Sequence, residues 1–214
     1  MGPSEHVRNF GPTEVKGTTM LSQANNVLHM HQKVTLMVNR YEIFADNGGE
    51  PGQLVAFVEQ KRLAFKEQVT IYTDSSKNQV LAGFRARKVI DLGSGYDVTD
   101  GNGQSIGGFR KDFGKSLMNS TWHLDQPGAP TATGSERNAG VAVLRRLWGF
   151  LPFVNNIPFP FRYHFDFTRN GQPVFSVDKK TWVRDHYLIQ IADPYVDRRV
   201  VIAQAVAVDA LQSR

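Results

Sequence analysis

The sequence predicts a mainly β protein of the α+β class, with antiparallel strands closed into a barrel around one central helix. Three observations carry this. Alternating strand-turn-strand units recur along the chain and turn on Asn, Asp and Gly. A late segment, Val200 to Leu211, is apolar on nearly every face and is interrupted only by Gln204 and Asp209. A helix of that kind lies either inside a protein or in lipid, and this one is too short to span a bilayer comfortably. Strands wrapped around it would bury it and would also remove exposed sheet edges.

Residues 1–25 are polar and carry Gly and Pro, which predicts a flexible arm ahead of a single barrel domain over residues 26–214. The stretch NNVLHMHQKVTLMVNRYEIF then reads as one or two strands. His29 and His31 share a strand face there, a spacing that can ligate a metal. The neighbouring sequence offers no third ligand, so no metal is expected. Four hairpins follow: Tyr41 to Arg62, turning at Asn47-Gly48-Gly49; Val69 to Lys88, turning around Asp74 to Asn78; Tyr96 to Lys111; and Tyr163 to Lys180, turning at Asn170-Gly171. Asn-Gly and Asp-Gly supply the positive φ angles of tight turns. Tyr41 and Ile43, Tyr96 and Val98, and Phe165 and Phe167 alternate with polar neighbours, as half-buried strands require.

Between the third and fourth hairpins, SLMNSTWHL (Ser116 to Leu124) is a further strand and DQPGAPTATG reads as a loop. Residues 135–151 are expected to form an additional amphipathic helix, with Val141, Leu144, Leu147, Trp148 and Leu151 at helical spacing. Pro152, Pro158 and Pro160 prevent its continuation. FSVDKKTWV and DHYLIQIA complete the β region. Asp193 as N-cap and Pro194 at the first helical position would open the central helix, residues 194–212.

Composition excludes several chemistries. The 214 residues contain no cysteine, so disulfides, thiolate nucleophiles and cysteine zinc sites are ruled out. The opening residues lack the apolar core of a secretory signal, and no apolar run approaches the roughly 20 residues of a membrane span. A cytoplasmic protein is expected. The stretch YDVTDGNGQSIGGFRK mimics two functional motifs. As a calcium loop from Asp100 it would offer Asn102 and Gln104, but then Ser105 and Lys111 in place of the bidentate acid; from Asp97 it ends at Gly108. As a nucleophile elbow around Ser105, it lacks the following helix. The simplest reading is a hairpin. No phosphate-binding or dinucleotide fingerprint occurs, so no cofactor and no enzymatic activity are expected.

Positive charge does recur. The formal net charge is +5, which favours anionic partners. Each return strand reaches a basic cluster: Lys61 and Arg62; Arg85, Arg87 and Lys88; Arg110 and Lys111; Lys179 and Lys180. In a barrel of successive hairpins these clusters reach one rim, where Lys and Arg would hold phosphate groups. Glu59, Asp91, Asp112 and Asp178 stand close enough in sequence to neutralise them. Arg145, Arg146, Trp148, Phe150, Phe153, Phe159 and Phe161 have the composition of a membrane-interface element; burial as an aromatic cap on the barrel mouth is the favoured alternative.

Taken together, NRYEIF, YDVTDGNGQSIGGF, SLMNSTWHL and DRRVVIAQAVAVDALQ resemble the tubby C-terminal-like superfamily, in its bacterial branch near the LURP-one-related and phospholipid-scramblase-like proteins. The likeness covers residues 26–214, although the segment from Asn138 to Phe161 departs from eukaryotic tubby sequences. It implies a barrel of about twelve antiparallel strands around a central helix. It also implies a binding role at anionic phospholipid, peripheral to the inner face of a membrane. A protein-interaction or structural module is the alternative, and nucleic-acid binding ranks lower because aromatics do not interleave with the basic clusters.

Overall fold

The computed structural model of the chain describes residues 21–34, 38–61, 68–87, 95–112, 121–137, 164–180 and 186–212. Twelve strands precede one helix among them: β1 (Val27–Val34), β2 (Val38–Asn47), β3 (Glu50–Lys61), β4 (Gln68–Tyr72), β5 (Val80–Ala86), β6 (Tyr96–Asp100), β7 (Ser105–Asp112), β8 (Thr121–Gln126), β9 (Ala129–Glu136), β10 (His164–Arg169), β11 (Gln172–Lys179), β12 (His186–Ile191) and helix α1 (Arg198–Gln212). Each strand pairs with the next in the chain, and β12 pairs with β1 to close the barrel. The strands NNVLHMHQKV and VNRYEIF are thus two, meeting antiparallel with Met30 opposite Ile43.

Alternation sets the inner wall. Leu28, Met30, Tyr41, Ile43, Val58, Ile71, Phe84, Val98, Phe109, Trp122, Phe165, Val177 and Ile189 are all buried on it. Helix α1 packs against β5, β6 and β7. Asp209, near its end, bonds Tyr41 on β2 and Tyr187 on β12. Strands β6 and β12 stand half a circuit apart, so a helix touching both sides runs through the interior. Val200 to Ala210 are accordingly buried on every face, which is why apolar residues occupy the whole circumference.

The helix begins later than Asp193-Pro194 suggests. Asp197 is its cap, with Oδ1 accepting the Arg199 N–H at 2.8 Å and its carbonyl accepting the Val201 N–H at 3.1 Å. Asp193 instead closes a turn onto the Tyr195 N–H and pairs with Arg169. A second difference lies at DQPGAPTATG. Pro127-Gly128 make a tight turn with Gly128 at φ 77°, and the residues beyond it form β9. Strand β9 runs to Glu136, so the helix expected from residue 135 does not start there; the rest of that segment lies outside the described residues, as do residues 1–20 of the expected arm. Leu21 already packs against the core.

Strand β9 is hard to recognise because its inward positions are small: Ala132 and Gly134, followed by Glu136. Gly134 has a physical reason. A Cβ there would overlap the ring of Phe167, which stacks on Phe175 at 4.2 Å between centroids and has little room to retreat. Gly134→Ala is expected to destabilise the protein by about 1–3 kcal/mol through overpacking. Adding Phe167→Leu should recover part of the loss in chemical denaturation, whereas a loss below about 0.5 kcal/mol would mean that the ring moves aside freely.

The motif-mimicking stretch is a hairpin turn. Asp100 Oδ1 accepts the N–H groups of Asn102 and Gln104, both at 2.9 Å. Ser105 opens β7 opposite Thr99 and is exposed. At Asn170-Gly171 both φ values are positive, 50° and 78°, as the Asn-Gly sequence requires.

Candidate functional site, a barrel with two unlike rims

The up-and-down topology sorts the connections. The links after β2, β4, β6, β8, β10 and β12 leave from one rim, where α1 also enters. The links after β1, β3, β5, β7, β9 and β11 leave from the other. Between consecutive elements, the segments leaving the first rim contain one Lys or Arg and three Asp or Glu. Those leaving the second contain eleven Lys or Arg and three Asp or Glu. The return strands β3, β5, β7 and β11 all end at this second, basic rim, so the strand ends carrying the basic clusters are brought to one end of the barrel.

Side-chain direction then divides the clusters. Arg85, Arg87 and Arg110 point outward; Lys180 is exposed just past the end of β11. Arg87 Nε is 2.8 Å from Asp97, Arg110 Nη1 is 3.0 Å from Asp125, and Lys180 is 3.7 Å from Asp178. Arg85 is exposed and forms no ion pair among the described residues. It lines, with Arg87, Gln68 and Thr99, an open outer groove of about 480 Å³. Lys111 and Lys179 do not join this outer surface. They follow Phe109 and Val177 at the strand period of two and so point inward. Their ammonium groups stand 5.8 and 5.7 Å from the ring centres of Trp122 and Tyr187, within cation–π reach. Arg62, Lys88, Arg145, Arg146, Trp148, Phe150, Phe153, Phe159 and Phe161 lie outside the described residues, as does the side chain of Lys61.

The acids near the clusters have other partners too. Glu59 is held below the usual carboxylate range by hydrogen bonds from Lys77 and then Arg40. Asp178 accepts from His164 Nδ1 at 2.6 Å, and Asp112 is 3.5 Å from His123.

Inside the basic end of the barrel lies a polar network that the sequence did not reveal. Gln32 Nε2 donates to Tyr41 Oη at 3.1 Å, Tyr41 donates to Asp209 Oδ2 at 2.8 Å, and Tyr187 donates to Asp209 Oδ1. Asp209 is 1% exposed. Alternation could have flagged Tyr41 and Tyr187 as inward, but their meeting with a helix residue over 160 positions from Tyr41 has no local signature.

The histidine pair on β1 acquires a third member from β12. His186 lies directly opposite His31 in the register. Its Nε2 is 3.1 Å from His29 Nδ1, and its ring meets that of His31 edge-on at 4.5 Å. His29 Nε2 is 2.7 Å from Asp46 Oδ1. Burial, followed by the neighbouring His29, lowers the His31 pKa. Burial, followed by His31 and His29, lowers that of His186.

Among the described residues no helix is long and apolar enough to cross a membrane. A family model described as LURP-one-related matches residues 54–209, from β3 through Asp209 on α1. No curated protein and no solved structure matches the chain.

Proposed function

Because the chain belongs to the LURP-one-related family, we propose that it is a non-catalytic, tubby-like binding module that docks its basic rim on anionic phospholipid at the inner face of a membrane. The supporting observation is the charge sorting: eleven Lys or Arg against three acids on the segments leaving one rim, and one against three on the other. A barrel polarised in this way orients in the field of an anionic surface, which attracts basic residues by about 1 kcal/mol each. The outward cations already paired with Asp97, Asp125, Asp166 and Asp178 add less. Exposed Arg85 and the other basic residues of the connecting segments carry the attraction. Phosphate and headgroup recognition, rather than insertion of a spanning element, is the chemistry on offer.

Vesicle flotation tests it. Binding to phosphatidylserine-containing vesicles is expected at low salt, with little binding to phosphatidylcholine alone and progressive loss as salt rises. Neutralising Arg85, Arg145 or Arg146 singly with Gln should each weaken binding about fivefold, the equivalent of about 1 kcal/mol. Equal binding to both vesicle types, or none to either, overturns the electrostatic docking and leaves a protein-interaction module, which the paired surface arginines would then serve.

A further inference from the structure

We propose that His29, His31 and His186 bind a divalent transition ion, Zn²⁺ or Cu²⁺, on the outer wall of the barrel across its closing seam. The proposal is independent of the lipid reading and rests on a different face of the molecule. The carboxylate of Asp46 only accepts hydrogen bonds, so the His29 nitrogen facing it at 2.7 Å, Nε2, carries the ring proton. In the neutral ring, Nδ1 is then an unprotonated donor of electrons, and it faces His186 Nε2 at 3.1 Å. A carboxylate that fixes the tautomer of a ligating histidine from behind is the recurrent outer shell of protein metal sites.

The separation suits a shared ion. Two imidazole nitrogens at about 2.0–2.1 Å from one ion stand about 3.3 Å apart in a tetrahedral site and about 2.9 Å apart as neighbours in a square plane. The observed 3.1 Å lies between these, so an ion can replace the hydrogen bond once both rings turn their lone pairs onto it and the proton on His186 Nε2 moves to that ring's Nδ1 or is released to solvent. His29 is 2% exposed and held in place, whereas His31 and His186 are half-buried. As the side chains stand, no group of three His, Asp or Glu among the described residues is arranged to hold a metal ion. His31 therefore completes the site by rotating about its side-chain bonds toward His186, whose ring it touches. Water takes the open position.

The surroundings admit a cation. Asp46 and, at longer range, Glu42 and Glu50 face the cluster, against Lys33 and Lys180. Asp46 also accepts the Gly49 N–H at 3.2 Å, which holds its carboxylate behind His29. An ion bound here would staple β1 to β12, strands that are neighbours only because the barrel closes.

Titration of untagged protein with ZnCl₂ and with CuCl₂, followed by calorimetry and by thermal unfolding, tests this. One saturable ion per chain is expected, with a melting temperature that rises with metal concentration. Cu²⁺ electron paramagnetic resonance should show coupling to more than one imidazole nitrogen. His186→Gln should weaken binding at least 100-fold, and Asp46→Asn 10–100-fold, the range found for outer-shell partners. His123→Gln, on β8 about a third of the way round the barrel, should change nothing. Because buried His29 supports the fold, His186→Gln and His31→Gln are the decisive variants, each checked for a native circular dichroism spectrum. Absence of saturable binding, or affinity unmoved by His186→Gln or by Asp46→Asn, overturns the site.

Discussion

Asp209→Ala is expected to lower the unfolding free energy by about 3 kcal/mol and the melting temperature by about 6–12 °C. The carboxylate accepts from two phenols that reach it from different strands, Tyr41 on β2 and Tyr187 on β12. It therefore fixes both the depth and the rotation of α1 within the wall. Hydrogen bonds to a charged acceptor contribute about 1.5–3 kcal/mol each, partly offset by the cost of keeping a carboxylate away from water. Truncation also takes an acceptor from two buried hydroxyls. Tyr41→Phe and Tyr187→Phe should each cost about 1–2 kcal/mol. Their double mutant should cost more than the sum, because the second loss leaves the carboxylate without either phenol. The triple replacement Tyr41→Phe, Tyr187→Phe, Asp209→Leu should regain part of the stability, since an apolar set no longer holds a carboxylate away from water. Equilibrium denaturation of the five variants decides the matter; a loss under about 1 kcal/mol for Asp209→Ala would show that the helix is seated by apolar packing alone.

Arg198→Met is expected to cost about 3–5 kcal/mol, because several carbonyl and amide oxygens lose their charged donor at about 1–3 kcal/mol each. Arg198 is fully buried at the rim where the helix enters. Its Nε donates to Asn25 O at 3.0 Å, and Nη1 to the carbonyls of Asp193, Pro194 and Val196 at 3.2, 3.2 and 2.7 Å. Nη2 donates to Asn26 Oδ1 at 2.8 Å. One guanidinium thus ties the segment before β1 to the segment before α1. Methionine has similar bulk and no donors, so the variant isolates the bonds from the packing. Arg198→Lys should recover only part of the loss, because an ammonium cannot reproduce the planar fork. Hydrogen exchange at Leu28 and Met30 should rise in both. Unchanged exchange with a small loss of stability would place the closure of this mouth elsewhere.

Much of the barrel is legible in the sequence because local chemistry and global pattern agree. Asn-Gly and Asp-Gly turns mark three of the hairpins, and the all-round apolarity of Val200 to Val208 announces a helix with no wet face. Strand β9 is illegible for the opposite reason. Its inward Gly134 and Ala132 are chosen for lack of bulk, and Gly and Ala carry no strand signal. The start of α1 is misleading because Asp193-Pro194 has cap composition, yet the carbonyls of Asp193, Pro194 and Val196 must stay free of a helix to receive Arg198. At the basic rim, the meeting of the strand ends that carry the clusters follows from hairpin topology. The inward turn of Lys111 and Lys179 was available from their spacing to Phe109 and Val177, but the pairing of Arg87 and Arg110 with acids on neighbouring strands depends on register. His186 stands 157 residues from His29, and no local pattern joins them.

The helix follows all twelve strands in chain order, and this has a consequence for biosynthesis. At about 5–20 residues per second, a ribosome needs roughly 10–30 seconds to travel from His29 to His186. Throughout that interval β1 has a bare edge, and the inner wall has nothing to enclose. Only when Arg198 to Gln212 emerge can the nascent sheet curl shut over its filling. The growing polypeptide therefore passes through an open, greasy intermediate that invites self-association, and holdase chaperones should matter more to its yield than to its final stability.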